Sequence, residues 1–105
     1  MLLSANGQNV YPEEIEDRLN SMALVGESIV VQRDEKFVAI VHPDYDEVRN
    51  LGFTNEDLVN VMEQNRKDLN TVLPSYSKIS SIEIHQEEFA KTPKKSIKRY
   101  LYQNV

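Results

Sequence analysis

Five basic residues crowd the end of this chain. Lys91, Lys94, Lys95, Lys98 and Arg99 fall within the last fifteen residues, which contain no acid. The ninety residues before them hold all 17 acids and only seven of the 12 Lys/Arg, for a net charge of −5. An acidic body with a basic tail points to an anionic partner near the C-terminus, or to a solvated tail. An ammonium group brought beside developing negative charge stabilises a transition state electrostatically. Near the other end, Asn6-Gly7-Gln8 separates two short apolar stretches. A glycine turn of this kind lets the backbone approach a ligand closely.

Other chemistries have little support. The chain has no cysteine, which excludes disulfides, zinc-thiolate sites and thiol catalysis. Two histidines, His42 and His85, are too few for a His-rich metal site, and no metal is expected. They are expected at strand ends or on an exposed strand face, without evident partners. Glu13, Glu14 and Glu16 are expected to be helix N-terminal acids and surface charges rather than general bases. Tyr11 is expected to pack. Nucleic acid is not an expected partner, because the acidic body repels it and only Phe89, Tyr100 and Tyr102 interleave with the basic tail.

The elements that must position these residues fit one small domain. At 105 residues with 40% hydrophobic side chains, the core should be thin, one sheet covered by helices. Leu2-Leu3-Ser4 and Asn9-Val10-Tyr11 read as two short strands around an Asn-Gly turn. So abrupt an opening suggests a segment upstream of Met1. Pro12 suits the first position of a helix, and Ile15, Leu19 and Met22 share one face. Gly26 is expected to help end that helix. Residues 27–32 and 37–42 read as strands joined by a turn at Asp34-Glu35. Their nearly continuous apolar runs suggest central positions. Residues 44–53 read as a polar connection. Thr54, with Asp57 three residues on, should cap a long helix from Asn55 to Leu73 carrying Leu58, Val61, Met62, Leu69, Val72 and Leu73. Pro74 ends it. Residues 78–85 alternate as a half-buried strand. A basic loop and a short terminal helix carrying Ile97, Tyr100 and Leu101 are expected over 91–105. The fold class is α+β, with a small mixed or antiparallel sheet flanked by helices.

Two stretches carry a family resemblance. Ser4-Ala5-Asn6-Gly7-Gln8-Asn9-Val10-Tyr11-Pro12-Glu13-Glu14-Ile15-Glu16 resembles the segment just after the hinge of adenylate-forming enzymes, in the wording of long-chain fatty acyl-CoA synthetases. Lys91-Thr92-Pro93-Lys94-Lys95-Ser96-Ile97-Lys98-Arg99 resembles the terminal motif Lys-Thr-x-x-Gly-Lys-Ile-x-Arg of that superfamily. Together they span essentially the whole chain, which is thus similar to the C-terminal lid domain of an AMP-forming acyl-CoA synthetase. The large domain would lie upstream, with the phosphate-binding loop and the hinge residue.

The resemblance implies a two-step reaction. A carboxylic acid and ATP give an acyl-adenylate and pyrophosphate, and coenzyme A then displaces AMP. The lid rotates between the steps. One orientation presents the terminal-motif lysine; the other presents the glycine loop, Asn6, Gly7 and Gln8, to the coenzyme A tunnel. ATP with magnesium and coenzyme A would be held mostly by the large domain, none by this chain alone, which would be inactive. The partners implied are that large domain, a fatty acid and coenzyme A. A carrier protein as acceptor is one alternative. A free-standing α+β interaction module with a basic tail is another.

One position departs from the motif. Aligned without a gap, the family glycine falls on Lys95 and the catalytic lysine on Ser96. A hydroxyl cannot supply the positive charge. Either Lys95 reaches the site on its flexible stem, or Lys94 or Lys98 substitutes, or the large domain carries the step. Weakened adenylation with thioester formation spared is the expectation. Lys94 and Lys98 are also candidate phosphate contacts. No apolar run approaches the roughly 20 residues of a membrane span. No signal peptide is expected either, because Ser4 interrupts Met1-Leu2-Leu3. A cytoplasmic protein is expected, with peripheral membrane attachment open to the whole enzyme.

Overall fold

The computed structural model describes all residues except 1, 5, 6, 95, 96, 99, 100 and 103–105. The chain forms β1 (Leu2–Leu3), β2 (Asn9–Val10), α1 (Pro12–Asn20), β3 (Val25–Arg33), β4 (Lys36–Pro43), α2 (Tyr45–Leu51), α3 (Asn55–Val72) and β5 (Ile79–Ile84). β1 and β2 pair antiparallel, with Leu2 opposite Val10. The main sheet has the order β3-β4-β5. β3 and β4 are antiparallel, β4 and β5 parallel, so the sheet is mixed.

Local chemistry explains most boundaries. Pro12 opens α1, where its missing N–H costs nothing. The Thr54 hydroxyl accepts from the Asp57 N–H, and the Asp57 carboxylate accepts from the Thr54 N–H, a reciprocal cap that starts α3. Asp34 and Glu35 both have positive φ, 50° and 67°, as a two-residue hairpin of matching twist requires.

Alternation along the strands feeds two cores. Val30, Phe37, Ala39, Val41 and Ile79 pack with Ile15 and Leu19 of α1 and with Leu58, Met62 and Leu69 of α3. Ile29, Val31, Val38 and Ile40 pack on the other face against Phe89, Ile97 and Tyr102. The segment after β5 therefore covers the second face, as α1 and α3 cover the first.

Several expectations need correction. Only β4 is central; β3 is an edge strand. Its continuous apolar run reflects cover on both faces, not a flanking strand on each side. Gly26 does not end α1, which stops at Asn20. It is the extra residue of a bulge between Val25 and Glu27. A Cβ there would lie 2.9 Å from the His42 carbonyl oxygen. Residues 44–53 are not simply a connection, because Asp44 caps α2 through the Glu47 N–H. Glu16 is not a surface charge. It is 7% exposed, and its carboxylate accepts the Val30 N–H at 2.7 Å on the free side of β3. Ile97 is not helical: it bridges antiparallel to Lys91. The Leu101 N–H donates to the Lys98 carbonyl in a single turn, and Leu101 is exposed. Tyr100 lies outside the described residues.

Candidate functional site

The glycine loop hangs from a short, self-braced hairpin. The Ser4 N–H donates to the Gln8 carbonyl, the Gly7 N–H to the Ser4 carbonyl, and the Gln8 N–H to the Ser4 hydroxyl. Gly7 has φ 79°, a conformation that glycine adopts without strain. Gly7 and Gln8 are exposed. Asn6, the third residue of the expected tunnel-facing loop, lies outside the described residues. The hairpin docks on the main sheet through the Gln32 side-chain amide, which donates to the Leu3 carbonyl at 2.5 Å. Val10 and Leu2 join the core on the helix side.

Cations gather beside this hairpin. A groove of about 220 Å³ is lined by Ser4, Lys36, Tyr76, Lys78 and their neighbours, with Glu35 as its acid. Lys78 also lines a second groove, of about 300 Å³, with Arg66, Lys67, Asn70 and Thr71. The Arg66 guanidinium grips Glu63 with both Nε and Nη2, which holds the Glu63 carboxyl below its ordinary range. Arg66 is thus partly neutralised, while no acid among the described residues lines the groove itself. Sequence reading passed over these four cations because they are scattered along the chain. Only the fold brings Lys36, Arg66, Lys67 and Lys78 to neighbouring grooves.

Tyr11 does not simply pack. It is 48% exposed and walls a groove of about 300 Å³ with Arg18, Val72 and Tyr76. Val72, expected in the α3 stripe, is likewise exposed. Asn65 takes a buried place on that stripe instead, donating to the Ala23 carbonyl at 2.9 Å.

The basic segment sits elsewhere. Its stem is closed by the Lys91–Ile97 bridge and by the Lys98 N–H, which donates to the Ala90 carbonyl at 2.8 Å. The Ala90 N–H in turn donates to the Tyr102 hydroxyl at 2.7 Å. Lys91 Nζ lies 2.8 Å from the Glu27 carboxylate of β3, which pushes the Lys91 pKa up. Lys94 is exposed and Lys98 half-buried. Lys95 and Ser96 lie outside the described residues.

Both histidines have partners, contrary to expectation. His42 Nδ1 lies 3.0 Å from the His85 carbonyl, and His85 Nδ1 lies 2.6 Å from the Glu87 carbonyl. The His85 ring stacks on Phe89 at 5.0 Å and meets Tyr102 edge-on. These contacts fasten the C-terminal segment to the end of the sheet. Among the described residues, no His, Asp or Glu group is arranged to hold a metal ion. No described helix is long and apolar enough to cross a membrane.

The hairpin and the basic segment therefore attach to different parts of β3. Gln32 holds the hairpin on the helix side. Glu27 holds the basic segment on the opposite face. They are five positions apart, about 17 Å along an extended strand. The two candidate segments are thus anchored on opposite faces of one strand.

This is the architecture of a known domain class. The profile of the AMP-binding enzyme C-terminal domain matches residues 1–104, and the chain belongs to that family. Solved structures agree. The adenylation domain of a carboxylate reductase from Mycobacterium chelonae superposes with a TM-score of 0.80 at 16% identity, over 98% of this chain and 17% of that one. An acyl-CoA synthetase from Brucella canis gives 0.74 at 23% identity, over 99% and 18%. A Mycobacterium tuberculosis fatty acyl CoA synthetase gives 0.65 at 25% identity, over 99% and 19%. The chain thus spans less than a fifth of each of these. No curated protein matches it.

Proposed function

We propose that this chain is the mobile C-terminal domain of an AMP-forming fatty acyl-CoA synthetase. The observation that carries the reading is the separation of the two candidate surfaces. The hairpin carrying Gly7 and the segment starting at Lys91 are anchored by Gln32 and Glu27 on opposite faces of β3, about 17 Å apart along the strand, which favours a separate orientation for each. The domain turns between steps to use both.

In the first step a carboxylate oxygen of the acid attacks the α-phosphate of ATP, and pyrophosphate leaves. Magnesium held by the large domain would supply charge shielding of the phosphates. The basic segment faces the site, and Lys94, Lys95 or Lys98 offsets the growing negative charge. In the second step the coenzyme A sulfur attacks the acyl carbonyl and AMP leaves. The Gly7 loop then faces the site, where a backbone without a side chain admits the pantetheine arm. Lys36, Lys78, Arg66 and Lys67 lie on that hairpin side, placed for the phosphates of coenzyme A.

The test is acyl-CoA formation by the full-length enzyme across short, medium and long acids, with free coenzyme A or a carrier protein as acceptor. Acyl-CoA from long acids and free coenzyme A supports the reading. Transfer only to a carrier protein, or no AMP formed with any acid, overturns it. In the same assay Ser96→Lys should raise pyrophosphate release several-fold, since it restores the missing ammonium.

A further inference from the structure

The β3 bulge has a consequence for the basic segment. Regular alternation would put Val25 on the same face as Glu27, Ile29 and Val31. The bulge at Gly26 breaks that pattern, and Val25 instead packs in the helix-side core. Glu27 is left on the face with Ile29 and Val31, which the C-terminal segment covers. Bulges commonly re-aim one side chain beside a functional site. Here the side chain turned to the other face is Val25, and the Glu27 carboxylate beside the bulge meets Lys91 Nζ at 2.8 Å.

Lys91 is the first residue of the basic motif and half of the bridge that closes its loop. Its bridge partner, Ile97, directly follows position 96 in the chain. The stem is held at three further points: Lys98 to Ala90, Ala90 to Tyr102, and Ile97 and Tyr102 against the sheet. Beside these, the Glu27–Lys91 ion pair fastens the first strand of the stem to β3. Glu27 lies at the rim of an acidic groove of about 330 Å³ with Asp44, Asp46 and Glu88. Glu88 adds to the field on Lys91. Repulsion among these carboxylates is relieved when one is paired.

We infer that Glu27 is a positioning residue for the adenylation step: by gripping Lys91 it fixes where the basic segment leaves the sheet. The inference rests on the function proposed above. It is specific to one half-reaction, because the Gly7 hairpin is held by Gln32 and does not depend on Glu27. A small misplacement of a charge-bearing loop is enough to slow catalysis by one to two orders of magnitude.

The experiment compares wild-type, Glu27→Gln, Lys91→Gln and the charge-reversed pair E27K/K91E in the full-length enzyme. Pyrophosphate release and acyl transfer from preformed acyl-adenylate are measured separately. Hydrogen exchange of the Ala90 and Lys98 amides reports on the stem. Each single variant should lose about tenfold in kcat for pyrophosphate release, with acyl transfer unchanged. The two stem amides should exchange faster. The reversed pair should recover most of both. A Glu27→Gln enzyme equal to wild type in pyrophosphate release overturns the inference. So does one that loses both half-reactions together with thermal stability, the mark of a merely structural role. A wild type that releases no pyrophosphate with any acid sinks the proposed function itself, and this inference with it.

Discussion

Glu27 and Gln32, five positions apart on β3, grip the two candidate functional segments of this domain from opposite faces of one strand. One carboxylate holds the start of the basic motif. One amide holds the hairpin that carries Gly7. β3 is thus a shared strut, and changes along it should affect the two segments independently.

Glu16 guards the free edge of that strut. Its buried carboxylate accepts the Val30 N–H, a charge-assisted hydrogen bond. Glu16→Ala should cost about 1.5–3 kcal/mol in urea unfolding, because it leaves a buried strand N–H without its acceptor. Glu16→Gln, which keeps an acceptor oxygen, should cost less. Equal stability of all three proteins would show that water or another group replaces the carboxylate.

Gly26 is needed for close approach rather than for conformational freedom. Its φ is ordinary, but an added Cβ would meet the His42 oxygen at 2.9 Å and the Asp44 nitrogen at 3.3 Å. Both are backbone atoms and cannot swing aside. Gly26→Ala should destabilise by about 1–3 kcal/mol. For a domain of this size that is a fall in Tm of several degrees or more. It should also weaken the Glu27–Lys91 pair, since Glu27 directly follows the bulge residue.

Lysine titration checks the Glu27 grip directly. Lys91 has its pKa raised by the Glu27 hydrogen bond, then by the charges of Glu27 and Glu88. A raised folded-state pKa means that the contact stabilises fully below the ordinary value of 10.5 and is lost as pH climbs through the higher folded value. Followed by NMR at the Lys91 ε-carbon, Lys91 should titrate above the ordinary lysine value of 10.5. Glu27→Gln should lower its titration toward that value. A wild-type Lys91 curve that is unchanged by Glu27→Gln would mean that the pair does not persist in solution.

The hairpin-side cations should matter for the second substrate only. Reversing Lys36 and Lys78 to glutamate should raise KM for coenzyme A about three- to tenfold, near the upper end for exposed charge contacts. KM for the acid should hold steady. The effect should fade with added salt, because these side chains are exposed. An effect on pyrophosphate release instead would place these lysines at the wrong step.

How much of this was legible beforehand depended on range. The α3 start could be read because Thr54 and Asp57 satisfy each other within one turn. The Asp34-Glu35 turn and the Pro12 start are likewise local. α2 escaped because it is only seven residues long and buries Val48 alone, so its apolar signal from Tyr45, Val48 and Leu51 is too short to stand out. Glu16 was misread because the strand amide that needs it lies fourteen residues away. β3 looked central because Ile29, Val30 and Val31 are all buried, yet burial came from the segment after residue 85 rather than from a second neighbouring strand. Gly26 resembled a helix stop, but its neighbour is the chain turn at Pro43 and Asp44, which only the folded sheet brings close. In the candidate site, the terminal motif and Gly7 were visible as residues. Their attachment to opposite faces of β3 was not, since face and strand order are set by pairing.

The most direct measurement separates the two half-reactions in two variants of the full-length enzyme. Gly7→Val strains a backbone at φ 79° by about 1–2 kcal/mol and places bulk on the hairpin face. Lys94→Ala with Lys98→Ala removes charge from the opposite face. The first should slow acyl transfer from preformed acyl-adenylate by tenfold or more and leave pyrophosphate release near wild type. The second should slow pyrophosphate release and leave acyl transfer intact. Two variants that slow both half-reactions equally would contradict the assignment of one surface to each step.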